Sequence, residues 1–98
     1  MRKGVMGMED LQIISLLFQR SETAIPMLQQ KFGGLCRSII ANILPDRRDV
    51  EECIGDTYLR VWNSIPPQRP DRLDSYLARI ARNVALDRYD YNMACMRN

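Results

Sequence analysis

Asp49-Val50-Glu51-Glu52-Cys53-Ile54-Gly55-Asp56-Thr57-Tyr58-Leu59-Arg60-Val61-Trp62 opens the stretch that decides the fold, and Ser75-Tyr76-Leu77-Ala78-Arg79-Ile80-Ala81-Arg82-Asn83-Val84-Ala85-Leu86-Asp87-Arg88 closes it. In the first run Val50, Cys53, Ile54, Thr57, Tyr58 and Val61, with Ile65 beyond it, recur at the spacing of one helix face. Glu51, Glu52, Gly55, Asp56, Leu59 and Asn63 lie around the rest. The second run belongs to a helix expected from near Asp71 to about Tyr91, with Leu73, Tyr76, Leu77, Ile80, Val84 and Tyr91 facing inward. At about 100° per residue, Arg79, Arg82, Asn83, Leu86 and Asp90 gather on its opposite face. Between the helices, Pro66-Pro67-Gln68-Arg69-Pro70 makes a stiff connector, because proline has no amide to donate and clashes with the preceding turn. An acidic-faced helix, a loop and an Arg/Asn-faced helix therefore stand in tandem.

Working outward toward the N-terminus, Pro45 ends an earlier helix, since the residue before a proline is pushed away from helical angles. Either Asp46 or Asp49 can cap the acidic helix, and Asp49-x-x-Glu52 has the spacing of a capping box. The helix before Pro45 is expected to run to about Leu44, carrying Ile25, Leu28, Phe32, Leu35, Ile39 and Ile43, with Pro26 in its first turn. Gly33-Gly34 inside it marks a kink, a close crossing or a break, each glycine costing about 1 kcal/mol relative to alanine. The first helix spans about Glu9 to Gln19, with Leu11, Ile14, Leu17 and Phe18 as its stripe, and Ser21 to Thr23 separates it from the second. Period-two alternation is scarce, so the expectation is all-α: a compact bundle of about four helices forming one domain over residues 1–98.

The apolar fraction of 46% is that of a globular protein and argues against disorder. Cys36, Cys53 and Cys95 are odd in number and widely spaced, which fits a reduced cytoplasmic chain better than a disulfide scaffold or a zinc site. The longest apolar run, Leu11 to Phe18, is far too short to span a bilayer, so no membrane insertion is expected. Net charge is only +2, weak for an autonomous DNA binder, but its sign alternates. Residues 1–45 carry five basic and three acidic side chains, 46–68 three and five, and 69–98 six and four. That pattern fits helices that face different partners, and it fits solvated faces equally well.

The two runs, in this order and with a loop of similar length, resemble region 2 of bacterial RNA polymerase sigma factors, most closely the small extracytoplasmic-function class. The likeness extends from about Glu9 to Arg88 but is specific only in the last two helices. It implies a transcription initiation factor domain with two jobs. The acidic helix would dock on the coiled-coil clamp helices of the largest polymerase subunit through Asp49, Glu52, Gly55, Asp56 and Leu59, with Trp62 near the edge. Carboxylates suit arginines on a partner helix, where charge-assisted pairs set register. The loop and last helix would recognise and open the minus-ten promoter element, mainly as unpaired non-template strand, through Arg69, Arg72, Arg79, Arg82, Asn83 and Arg88. Family members hold a flipped-out base at this loop. Guanidinium groups suit phosphates and guanine edges, and an amide can both donate and accept. Trp62 and Tyr76 are expected to pack rather than to stack on bases. An anti-sigma protein is a further partner by resemblance; no cofactor is implied.

Two departures accompany the likeness. Gly55 stands where the family usually has glutamine, which either removes a side chain able to bond the clamp or lets another backbone come closer. After Arg88 the tail Tyr89 to Asn98 is less basic than family members often are, and nothing resembles the helix-turn-helix domain that reads the minus-thirty-five element. A fragment of a longer factor is the expectation, with a stand-alone protein as the alternative.

Other classes fit less well. With no histidine, no G-x-S-x-G and no Walker loop, an enzyme has no evident site. A helical adaptor or oligomerisation module without DNA binding is the serious rival, although it would not require the Arg79, Arg82 and Asn83 face. A helix-turn-helix repressor would need a tighter turn than Pro66 to Pro70 supplies.

Overall fold

The computed structural model describes residues 6–96. Four helices follow one another: α1 (Met8–Phe18), α2 (Ala24–Ile43), α3 (Arg47–Ser64) and α4 (Leu73–Met96). Among the described residues there is no strand. The all-α expectation holds.

α3 starts where proline and aspartate together dictate. Leu44 and Asp46, on either side of Pro45, are extended, and the Asp46 side chain accepts a 2.8 Å hydrogen bond from the Arg48 amide. This corrects the capping-box reading, because Asp49 already lies within the first helical turn and its carboxylate is drawn toward α4. Asn92 Nδ2 donates to Asp49 Oδ2 at 2.9 Å. α2 runs unbroken through Gly33-Gly34, so that pair is not a break.

The core lies where α2, α3 and α4 pack on one another, with α1 laid against α2. α2 buries Ala24, Leu28, Phe32, Cys36 and Ile40, an unbroken i+4 row. Leu35 is exposed, and Ile25, Ile39 and Ile43 only partly buried. The expected straight stripe is therefore replaced by a ridge inclined to the helix axis, the geometry of helices that cross rather than run parallel. On α1 the buried residues are Ile13, Ile14 and Leu17, whereas Leu11 is exposed and Phe18 half-buried. Its sequence is apolar on nearly every side, so period alone does not select the face.

α3 and α4 come together through a mixture of large and small groups. α3 contributes Val50, Cys53, Thr57 and Val61, and α4 contributes Leu77, Ala81, Val84 and Ala85. Among the described residues Thr57 is the one fully buried polar side chain, and its Oγ1 donates to the Cys53 carbonyl at 2.7 Å. Leu28, Ile40 and Leu77 are fully buried; cutting any of them to alanine would cost about 2–5 kcal/mol. Near the end of α4 the residues that turn toward α3 are Arg88 and Asn92, both reaching Asp49. Tyr91, expected inside, is 62% exposed.

The α3–α4 connector is held at both ends. Gln68 N donates to the Ser64 carbonyl at 2.8 Å, and Tyr76 Oη donates to Ser64 Oγ at 2.7 Å. Across the bundle, Arg20 has a left-handed backbone with φ of 56° and sends Nη1 to the carbonyls of Trp62 (2.8 Å) and Ile65 (3.0 Å). A cation on the last carbonyls of α3 satisfies acceptors that the helix leaves free and complements its dipole.

Candidate partner and nucleic-acid interfaces

Of the residues expected to meet DNA, Arg69, Arg72 and Arg79 share one cavity of about 360 Å³ at the α3–α4 connector, together with Gln68, Ser75 and Tyr76. Each arginine is placed differently. The Arg69 guanidinium carbon sits 4.3 Å from the centre of the Phe18 ring, a cation–π contact that brings the end of α1 under the connector. Arg72 grips Asp74 with two bonds, Nη2 to Oδ2 at 2.9 Å and Nε to Oδ1 at 3.3 Å. The Arg72 guanidinium, with help from the Ser75 amide, holds the Asp74 carboxyl below the usual carboxylate range. Arg79 projects from the first turns of α4, exposed. Arg82 and Asn83 follow along the same helix, also exposed.

Arg88 does not join them. Counting about 100° per residue places it on the far side of α4 from Arg79. Its guanidinium contacts two carboxylates of α3, Asp49 through Nε at 3.2 Å and Glu52 through Nη2. The side chain is only 27% exposed. Two residues expected to hold a partner protein and one expected to hold DNA thus pair with one another. Sequence spacing gave no sign of this, because the contact depends on the antiparallel pairing of α3 with α4.

The rest of the expected partner face is open. Gly55, Asp56 and Leu59 are exposed on α3, Leu59 to 56%. Gly55 and Leu59 border a groove of about 500 Å³ between α3 and the start of α2, with Glu22, Ile25, Tyr58 and Trp62 among its walls. Trp62 is partly buried, and the Arg20 guanidinium carbon lies 3.8 Å from its ring centre. Glu51, on the neighbouring side of α3, is occupied by Arg37 of α2 through a forked pair at 2.6 and 3.2 Å, which lowers its carboxyl pKa. Phe18 and Arg20 support these sites and are absent from the expected set; neither stands near its partner in sequence.

The remaining chemistry is plain. Cys36 and Cys53 are buried free thiols, each pushed up in pKa by burial, and Cys95 is exposed and free. Among the described residues no group of three or more His, Cys, Asp or Glu is placed to hold a metal, and no helix is long and apolar enough to cross a membrane.

Compared with known families, residues 28–93 match the family model described as Sigma-70 region 2. No curated protein and no solved structure matches the chain.

Proposed function

Because the chain belongs to the sigma-70 region 2 family, we propose that it is a transcription initiation factor domain of the extracytoplasmic-function class, docking on polymerase through α3 and engaging opened promoter DNA through α4. Domains of this family bind RNA polymerase and take part in promoter melting. The finer reading assigns α3 to the clamp helices of the largest subunit and the cavity at the connector to an unpaired base of the minus-ten element.

The observation that carries this reading is the convergence of Arg69, Arg72 and Arg79 with Tyr76 around one concavity. Three guanidinium groups against one carboxylate, Asp71, leave the cavity with a cationic excess that suits a phosphodiester chain. Arg82 and Asn83 continue the surface along α4, able to bond phosphate oxygens or base edges. Asp56 and Leu59 give α3 an acidic and apolar face apart from those arginines, as two separate partners would require.

The test is promoter opening by polymerase assembled with the domain, followed through permanganate reactivity of unpaired thymines. Arg82→Ala with Asn83→Ala should impair opening and leave polymerase binding intact. Docking is best tested with Asp56→Arg. Glu52→Arg would also set a cation against Arg88 and disturb the fold. Loss of both activities in the α4 variant, with its helicity unchanged, would overturn the division of labour. Binding of polymerase with no opening by the unaltered domain would favour an adaptor role.

A further inference from the structure

Gly55 is a glycine in the middle of an 18-residue helix, where it costs about 1 kcal/mol relative to alanine. Nothing inside the molecule demands it. A Cβ built there meets no atom within 4 Å, so no neighbouring element needs the missing side chain. What the missing side chain opens is the groove of about 500 Å³ beside it, walled by Ile25, Tyr58, Leu59 and Trp62. Gly55, Leu59 and Trp62 follow one another at i, i+4 and i+7, forming a single stripe with a notch at its head.

We propose that Gly55 is a recognition notch: a partner helix lies across α3 and inserts one aliphatic side chain over Gly55 into this groove. The absence of a side chain at 55 lets the partner backbone approach, while Leu59 and Trp62 bury the inserted group. The walls say which neighbours that side chain has. Glu22 lines the groove, Asp56 follows Gly55 on α3, and among the described residues neither is ion-paired, while the Arg20 cation against the Trp62 wall is taken up by the indole ring and two carbonyls. The occupant is therefore an apolar residue flanked by lysine or arginine on a helix, attracted by the acidic rim and held by the apolar floor. Trp62 is fixed for this role by Arg20, which covers its ring and bonds its carbonyl. The inference rests on the docking reading above and names what the clamp helix must offer this particular chain.

The experiment is calorimetric titration of the domain with the isolated clamp-helix coiled coil, comparing the unaltered chain with Gly55→Ala and Gly55→Gln. Both substitutions favour the helix and enter open space, so thermal unfolding should show each variant at least as stable as the parent. The notch predicts that Gly55→Gln weakens binding roughly tenfold or more, the change expected when one apolar side chain is kept out of its pocket. Gly55→Ala should weaken it less. Truncating the inserted residue on the coiled coil should cost as much in the parent and little in Gly55→Gln. If the parent binds and Gly55→Gln binds equally well or more tightly, the notch is wrong and the docking reading stands. If the folded parent does not bind, both fall together.

Discussion

The Arg88 guanidinium of α4 meets both Asp49 and Glu52 of α3, its Nε 3.2 Å from Asp49 Oδ1. With Asn92 donating to the other oxygen of Asp49, this cluster fastens the far ends of α3 and α4. Arg88→Ala leaves partly covered carboxylates without their cation and should lower stability by about 1–2 kcal/mol. Glu52→Arg alone should be destabilising, and Arg88→Glu combined with Glu52→Arg should recover part of the loss. Urea unfolding in a double-mutant cycle measures the coupling. A cycle that closes with no interaction would mean that the pair is ornamental.

Arg20 closes the other end of α3. Removing its side chain in Arg20→Ala takes away bonds to two carbonyls and a cation from an indole face, for an expected loss of about 1–3 kcal/mol. Arg20→Gly loses the same contacts but relaxes a left-handed backbone, so it should be less destabilising than Arg20→Ala. Equal midpoints in guanidinium chloride would contradict that ordering.

Alkaline unfolding should depend on Tyr58. Burial, with the neighbouring Cys36 thiolate, pushes its phenol up from 10.0 to about 12. A folded pKa above the unfolded one means that the stabilisation is complete below pH 10 and is lost as pH rises from there through 12. The hydroxyl's polar neighbour is the Cys36 thiol, a weak hydrogen-bond partner, so Tyr58→Phe should fold at neutral pH about as well as the parent. Its unfolding free energy should then fall less steeply than that of the parent, the buried Cys36 and Cys53 thiols contributing the loss that remains. Parallel curves up to pH 12 would refute the assignment.

At the other side of the molecule, single-stranded DNA affinity should report on Arg69. If Arg69 neutralises one phosphate, Arg69→Gln reduces the slope of log K against log salt by about 0.7, the value for one contact on a single strand. Phe18→Ala removes the ring that orients the guanidinium and should lower affinity with less effect on that slope. Fluorescence anisotropy with a labelled minus-ten oligonucleotide across a salt series distinguishes the two. An unchanged slope in Arg69→Gln would remove that residue from the interface.

Much of this architecture was legible from residue spacing, and the failures are as physical as the successes. The α3 and α4 faces were readable because each helix alternates sharply between apolar and charged sides. The α2 face was misassigned in part because a stripe drawn along a helix axis assumes a parallel neighbour, whereas Leu28, Phe32, Cys36 and Ile40 trace an oblique crossing. Tyr91 was placed inside by its apolar character, whereas Arg88 and Asn92 are the residues that face α3 at this end of α4. At the candidate sites, Arg69, Arg72 and Arg79 were assigned by the family resemblance, and the structure places them around one cavity. Arg88 was grouped with them as the last residue of the run that carries the resemblance, although it stands about 180° from Arg79 on the helix, and its contact with Asp49 and Glu52 depends on how α3 and α4 pair. The contacts of Arg20 and Phe18 span 42 to 51 residues of chain, and no local pattern encodes a partner so distant.

Trp62 is the only tryptophan in the chain, and it stands between the Arg20 clasp and the groove beside Gly55. The domain consequently carries its own optical gauge at the place where docking is proposed. Excitation at the red edge of the indole band isolates this one side chain from the tyrosines. An occupant entering the groove would exclude water from one side of the ring while the guanidinium remained on it, and unfolding would remove both. Emission colour and quenching by iodide therefore separate a seated partner from a lost fold in one cuvette, without a label.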